Sequence, residues 1–557
     1  MTQTISLIKE KRISFANRSA KAWQNYFDAH GLLPDITLSP EQISVVQQEE
    51  DHMLINGSAG SGKSLTLLFK VLKVMDQENE PKRILYCSYN QTLIEDARKR
   101  IKQSQKFQQL EGKHTLHMKT FHNVATDILK EIGFSNAQHM KMNLQNIRRN
   151  EDLITRRTIA LQSLFMKTSE YQNLPSEQKL FKTHEGSFLM DEILWMKANG
   201  FIKLDKYLEC ERAGRGSNPR LTKEQRKTIF HLYERYIKML NEHFKGHLDL
   251  EDYALTLLKY LEDIPERLKY DYIIVDEVQD LQAMQLKALV ALHKKSIIVS
   301  GDAKQRIYKR SPFSYKDLGL NIEGRKNRNL KINFRSTKQI MQLASNVRFI
   351  DEVNDRYDDQ QFVREGKIPS MHYFNSHDKQ NKHILKSIKE IHKDDPSASI
   401  AIIHRHDYDE KATRECVVYD MLRREFDIIK ASKYAKRFDL NGTRKPIFYT
   451  DAFSVKGLEF DYVFVIHFDR DHYPNTKRIE ELKERCGGKT NTETYERDFD
   501  EIFNEEKKLL YVAITRAKKE VQIMYTKPKD LHISQMVRDF NVKHYEAIGF
   551  NSSKYSS

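Results

Sequence analysis

The residues best suited to do chemistry lie in two short segments far apart in the chain. The first is GSAGSGKS, residues 57–64, which fits G-x-x-x-x-G-K-[ST] in full. It follows the apolar run HMLING and precedes the helical SLTLLFKVLKVM. Gly57, Ser58, Ala59, Gly60, Ser61 and Gly62 suit a backbone nest whose N–H groups cradle phosphate oxygens at a helix N-terminus. Lys63 can then reach the β and γ phosphates of a nucleoside triphosphate, while the Ser64 hydroxyl can ligate magnesium. The second segment is IIVDEVQD, residues 273–280. Asp276 closes an apolar run and can hold magnesium through its coordination shell, and Glu277 can polarise an attacking water as general base. Paired carboxylates at a strand end are common as plain surface residues. The phosphate loop upstream favours the hydrolytic reading.

Such a loop needs a strand in front of it and a helix behind it, and the chain supplies both repeatedly. HMLING (52–57), RILYCSYN (83–90), YDYIIVDE (270–277) and KSIIVSGD (295–302) read as buried parallel strands. Each ends in polar or glycine residues, where α/β sheets place their ligands. Between His122 and Asp276 the pattern turns helical and basic, as in IRRNEDLITRRTIALQSLF and LTKEQRKTIFHLYERYIKML. Strand-like runs return at 398–406, 446–453, 460–468 and 520–526, which predicts a second α/β lobe. The charged stretch from Asp469 to Asn504 reads as a solvated loop with helical turns.

These patterns divide the chain into a helical extension (1–36), a first lobe in two parts (37–125 and 256–330), a helical insertion (126–255) and a second lobe (331–557). Its length suits two to four domains. Lys and Arg number 93 against 78 Asp and Glu, a net charge of +15. That surplus suits a polyanionic partner, and a solvated basic surface accounts for the charge equally well. Cys87, Cys210, Cys416 and Cys486 show no C-x-x-C spacing, so neither a disulfide framework nor a zinc site is expected. The N-terminus has no apolar signal core and no run is long enough to span a bilayer, so a cytoplasmic protein with no membrane partner is expected.

With the two chemical segments placed, the order of further elements from about Leu38 to Lys518 resembles the UvrD/Rep/PcrA branch of superfamily 1 helicases. The resemblance makes LSPEQ (38–42) an adenine-reading element, with Gln42 suited to a bidentate amide contact. It assigns SYNQT (88–92) and TFH (120–122) to nucleic-acid contacts through Tyr89 and His122, although an aromatic after a strand also serves as core. In GDAKQRIY (301–308), Gln305 would touch the γ-phosphate and the attacking water. NFRST (333–337) supplies Arg335 for the γ-phosphate and Phe334 to stack on adenine; YVAITRA (511–517) supplies a second arginine, Arg516. VKGLEF (455–460) places Glu459 for a ribose hydroxyl. The chain departs from the family pattern at three places. Arg310 stands where an aromatic separator is usual and would stack its guanidinium on a base; Phe453 replaces a histidine; Leu65 replaces a basic residue.

The resemblance implies an α/β fold of two RecA-like parallel-sheet lobes, with a helical accessory insertion in the first. Each lobe would supply half of a site for ATP and magnesium, and closure and opening would move the protein along single-stranded nucleic acid, DNA in the family, in the 3′→5′ direction. The alternative is a nucleic-acid-activated ATPase subunit of a larger assembly with a nuclease partner, as in DNA repair or phage defence. A phosphate-loop GTPase or kinase is disfavoured by Arg335, Arg516 and Gln305. The interval from Arg335 to Val455 leaves room only for core elements, so a second accessory domain is expected to be absent or vestigial, and no nuclease module is expected after Arg516.

Overall fold

The β-branched runs of the first half lie side by side as a parallel sheet, the arrangement that buries a strand on both faces. The computed structural model describes residues 38–555 except 90, 140–143, 182–183, 185–186, 213–220, 303–311, 351–360, 406–416, 430–446, 453–454, 456–457, 486–487, 489 and 528. The chain forms two units, parted between Lys331 and Ile332.

In the first unit the strands are β1 (His52–Gly57), β2 (Arg83–Ser88), β3 (Thr115–Thr120), β4 (Tyr270–Asp276), β5 (His293–Gly301) and β6 (Asn327–Leu330). They run parallel in the order β3-β2-β4-β5-β1-β6. Ser88 stands opposite both Thr120 and Asp276, and Asn56 opposite Gly301, so the carboxyl ends of the strands finish nearly level. Four of these strands are the runs expected from the sequence. The other two, β3 and β6, occupy the edges, where fewer residues are buried, so TLHMKT and NRNL carry no strong apolar signal.

Helices α1 (Pro40–Gln47), α2 (Lys63–Gln77) and α3 (Phe121–Glu131) flank this sheet in sequence. On α2, Leu67, Leu68, Phe69, Val71, Leu72 and Met75 are all buried, joining Met53, Ile55, Ile84 and Tyr86 of the strands in one core. Further along come α4 (Leu144–Met166), α5 (Ser187–Asn199), α6 (Lys223–His243), α7 (Asp252–Lys259) and α8 (Ala283–Leu292). The two segments read as helical from their spacing are α4 and α6, and α6 opens with a capping box of Thr222 and Gln225. Residues of α5 and α6, with Tyr207 between them, close a separate core around Ile193, Met196, Ile229 and Tyr236.

Beside that core Lys197 of α5 is wholly buried, its amine 2.6 Å from Asp249 and 2.8 Å from Asp252. Tyr236 donates to Asp249 as well. Burial alone would lower the Lys197 pKa, but the charges of Asp252 and Asp249 hold it well above the usual lysine value.

The second unit carries a seven-stranded parallel sheet in the order β11-β12-β10-β13-β14-β9-β15. Its members are β9 (Ser370–Phe374), β10 (Ile400–His404), β11 (Ile428–Ile429), β12 (Ile447–Asp451), β13 (Phe460–Val465), β14 (Ala517–Thr526) and β15 (Glu546–Ile548). A two-stranded ladder, β7 (Ile332–Asn333) with β8 (Gln361–Phe362), precedes it. Helices α9 (Lys338–Ser345) and α10 (His377–Asp394) cover different faces, since their buried residues belong to different cores.

One expectation is corrected here. The stretch from Asp469 to Asn504 is largely helical, containing α11 (Thr476–Arg485) and the first half of α12 (Glu493–Ile514). Leu482, Tyr495 and Ile502 bury together, and Thr492 caps α12 by accepting from the Tyr495 amide. The charge-rich composition hid a spacing of Tyr495 and Ile502 that puts both on one face. Further on, the buried carboxylate of Glu506 takes two bonds from Arg405 (2.9 and 2.5 Å) and one from Arg478 (2.8 Å). Among the described residues no helix is long and apolar enough to cross a membrane.

Lys197→Met should leave the buried Asp249 and the partly buried Asp252 without their cation. The expected loss is about 3–5 kcal/mol of unfolding free energy, read by denaturant titration with circular dichroism; a loss below about 1 kcal/mol would mean that the pair contributes no more than a surface contact.

Candidate functional site

Where β1 ends, the chain turns through residues 58–62 before α2 begins at Lys63. The turn needs glycine at two places, because Gly60 and Gly62 have φ of 89° and 79°. At Gly62 there is a second reason: a Cβ would lie 2.3 Å from Gln42 Nε2. Gln42 is folded onto this loop, its Nε2 donating to the Ser61 carbonyl at 3.2 Å while its Oε1 accepts from the Ser39 amide at 2.8 Å. The Lys63 amine donates to the carbonyls of Gly57 (2.8 Å) and Ser58 (3.2 Å). The Ser61 hydroxyl is buried and has no hydrogen-bond partner.

Asp276 stands at the end of β4 with its carboxylate buried. Tyr86 of β2 donates to one oxygen at 3.0 Å; Ser300 of β5 (2.8 Å) and the Glu277 amide (3.0 Å) donate to the other. The Ser64 hydroxyl also bonds to it. Burial and then the Glu277 charge raise the Asp276 pKa; the bonds from Ser64 and Ser300 and the Lys63 charge oppose that rise. Ser64 and Asp276 are thus two hard oxygen donors in contact on adjoining elements, which suits a magnesium ion. Glu277 itself has φ of 53°, a strained backbone for a residue with a side chain. Gln279 donates through its side-chain amide to the Glu277 carboxylate, and its Oε1 accepts from the Asp302 amide at 3.2 Å. A Cβ on Gly301 would lie 2.6 Å from that Gln279 oxygen, so β5 must end in glycine for the contact to form.

The structure therefore brings Gln42, Lys63, Ser64, Asp276 and Glu277 to one end of the first sheet. Reading the sequence missed Tyr86, Ser300 and Gln279. Ser300 had a usable signal, since aligning KSIIVSGD with YDYIIVDE as parallel neighbours sets it beside Asp276. Tyr86 had none, because its hydroxyl reaches across from a strand whose apolar pattern it simply continues.

The residues expected to meet a nucleic-acid strand differ in their surroundings. Tyr89 is half-buried just past β2. His122 is placed differently from its expectation as a strand contact: it is 2% exposed, donates through Nε2 to the Leu250 carbonyl at 3.2 Å, and meets Phe121 and Tyr253 edge-on. Its ring serves the packing of α3 against α7. Beside it, the hydroxyls of Ser88 and Thr120, opposite each other at the strand ends, are buried without partners. Gln305 and Arg310 lie outside the described residues.

In the second unit the NFRST turn is held by Asn333, whose side-chain Oδ1 accepts from the amides of Arg335 (3.0 Å) and Ser336 (3.1 Å). Ser336 then donates to the Ala517 carbonyl at 2.7 Å, joining this turn to the YVAITRA segment. Arg335 forms an ion pair with Glu459, and Lys518 lies 3.7 Å from the same carboxylate. Arg516 is buried, its guanidinium donating to the carbonyls of Val512 (3.0 Å) and Leu458 (3.3 Å) and to the Thr515 hydroxyl (3.2 Å). Phe334 is half-buried beside Arg335 in the chain. Arg335, Glu459 and Arg516 are thus neighbours, and the Arg405–Glu506 pair is a further element that sequence reading did not single out.

Comparison with known proteins bears on the family of the chain. The family model described as UvrD/REP helicase N-terminal domain matches residues 38–310, and that of the UvrD-like helicase C-terminal domain matches residues 450–528. The ATP-dependent DNA helicase PcrA of Staphylococcus epidermidis is 26% identical over 324 residues, 56% of this chain and 40% of that one. YjcD, a helicase-named protein of Bacillus subtilis, is 24% identical over 57% of this chain and 39% of its own length. DNA helicase IV of Escherichia coli is 22% identical over 93% of this chain and 72% of that protein. The chain thus spans well under two thirds of the length of the first two and more of the third. Two family models in the right order, over residues 38–310 and 450–528, take in more than half of the chain: the chain belongs to the UvrD-like helicase family.

Proposed function

We propose that this protein hydrolyses ATP with magnesium and uses the cycle to move along single-stranded DNA in the 3′→5′ direction. The observation that carries the reading is the contact of Ser64 with a buried Asp276 directly beneath the phosphate loop, with Glu277 one residue on. In this reading Lys63 and the loop amides hold the phosphates, and Ser64 and Asp276 hold magnesium. The metal, when bound, neutralises charge on the phosphate oxygens. Glu277 takes a proton from the attacking water, and Gln279, bonded to its carboxylate, keeps that group from turning away. Gln305, Arg335 and Arg516 have the roles that the family resemblance assigns them, meeting the γ-phosphate and the charge that develops on it.

Lys63→Ala and Glu277→Gln should each abolish ATP turnover. Glu277→Gln should still bind ATP by calorimetry, since Lys63, Ser64 and Asp276 are untouched; near-normal hydrolysis by that variant would remove Glu277 as the base. Arg516→Ala and Arg335→Ala should lose roughly three orders of magnitude in rate while strand binding persists. ATPase rates with single-stranded DNA, duplex DNA and RNA measured side by side test the substrate, and a rate indifferent to all three would sink the proposal.

Tyr89 and His122 should separate in the same assays. Tyr89→Ala is expected to weaken strand binding by about 1–3 kcal/mol if it stacks on a base. His122 acts on stability instead. Burial drags its imidazole down to about 4 from 6.5, so the unfolded chain takes up a proton that the folded one excludes. Stability should therefore fall as pH drops below 6.5, and His122→Gln should flatten part of that fall without changing strand affinity.

A further inference from the structure

Two lysines behind the phosphate loop have no part in the hydrolytic reading. Lys70 and Lys73 lie on α2 and are 3% and 4% exposed. The Lys70 amine donates to the carbonyls of Val46 (3.0 Å) and Gln48, and the Lys73 amine to the Gln47 carbonyl (2.7 Å) and the Glu49 carboxylate (3.1 Å). Three successive carbonyls at the carboxyl end of α1, the groups a helix leaves without internal partners, are therefore closed by amines of one neighbouring helix. A glycine turn would satisfy such carbonyls without removing two amines from water, so the arrangement calls for a reason beyond capping.

The other end of α1 supplies that reason. Gln42 sits in its first turn, locked by a reciprocal capping box with Ser39, and its amide donates to the Ser61 carbonyl of the phosphate loop. The loop holds one end of α1 and the helix that begins at the loop holds the other. A slide of α1 along its axis would break the lysine bonds and carry the Gln42 amide away from Ser61 together. Burial, and the Lys73 charge beside it, pull the Lys70 amine down to about 7. The neutral amine still has two N–H groups for its two carbonyls, so the tie holds in either form.

We propose that Lys70 and Lys73 are positioning residues for base recognition, setting the place of the Gln42 amide and through it the preference for adenine over guanine. The inference rests on the reading of Gln42 as the adenine contact. An amide offers one acceptor and one donor, which match the N6 amino group and N7 of adenine; guanine presents two acceptors, O6 and N7, at the same edge. In the structure each Gln42 polar atom makes one bond and keeps capacity for a second, so discrimination depends on where the amide stands.

The test compares kcat and KM for ATP and for GTP in the full chain with single-stranded DNA present, for wild type, Gln42→Ala, Lys70→Met and Lys73→Gln. Wild type should prefer ATP, and Gln42→Ala should lose that preference. Both lysine variants should lower the ATP-over-GTP ratio of kcat/KM by up to about tenfold, the weight of one misplaced hydrogen bond. The change should sit in KM for ATP, with kcat and KM for GTP held. Should Lys70→Met fail to fold, Lys73→Gln decides, since it keeps a donor and its partner Glu49 is largely exposed. Lysine variants that lose thermal stability but keep the wild-type ratio, while Gln42→Ala loses it, overturn the inference and leave the Gln42 reading intact. A wild type indifferent to the base overturns both.

Discussion

Asp276 keeps its carboxylate out of water, and four elements of the first unit meet on it. A buried carboxylate is tolerated only where hydrogen bonds replace its hydration. Here β2 contributes the Tyr86 hydroxyl, β5 the Ser300 hydroxyl, α2 the Ser64 hydroxyl, and the turn after β4 the Glu277 amide. Each donor arrives only if its strand or helix ends at the right level. The register that stands Ser88 against Asp276 and Val275 against Val299 is therefore a condition of the proposed chemistry as well as of the packing.

From that carboxylate the constraints spread outward. The αL conformation of Glu277 sends the chain into the short turn that brings Gln279 back against the Glu277 carboxylate and the end of β5, and Gly301 leaves the space for it. On the far side of Ser64, α2 carries the two lysines that fasten α1, and α1 presses Gln42 against Gly62. The phosphate loop is thus held from the strand before it, the helix after it and the helix beside it. Rigid support of this kind is what a site needs if donors are to stand ready rather than be ordered at each turnover.

Elsewhere charge is buried for a different end. The Lys197 cluster ties α5 and α6 to the segment leading into α7, and Arg405 with Arg478 ties the end of β10 and α11 to Glu506 on α12. Such pairs add little net stability over well-packed apolar groups, because desolvation offsets most of the attraction. They do tolerate only one geometry, since a displaced partner leaves a bare buried charge. In the second unit the same logic operates at partial exposure, where Arg335 pairs with Glu459 and the Ser336 bond fixes its turn to the start of β14.

The parallel-sheet lobes, the phosphate loop at 57–64 and the carboxylate pair at 276–277 were legible because each is a local property of the chain. A buried strand needs a short apolar run, and a loop that turns through αL at Gly60 and Gly62 needs glycine, whatever surrounds it. The helices α4 and α6 were legible for the same reason, their apolar residues recurring with the period of one turn. What escaped a linear reading depends on burial and on contacts between distant residues. The strands β3 and β6 carry little apolar signal because they lie at sheet edges. The charged stretch holding α11 is helical because Leu482 finds Tyr495 and Ile502. His122 looked like a polar residue offered to a partner, and it is buried because α7, more than a hundred residues later, folds over it with the Leu250 carbonyl in reach. Nor does any spacing announce that Lys70 and Lys73 close the end of α1. Periodicity reports which residues share a face of one element; which element that face meets is settled by the free energy of the whole packed unit, and no short window of sequence contains it.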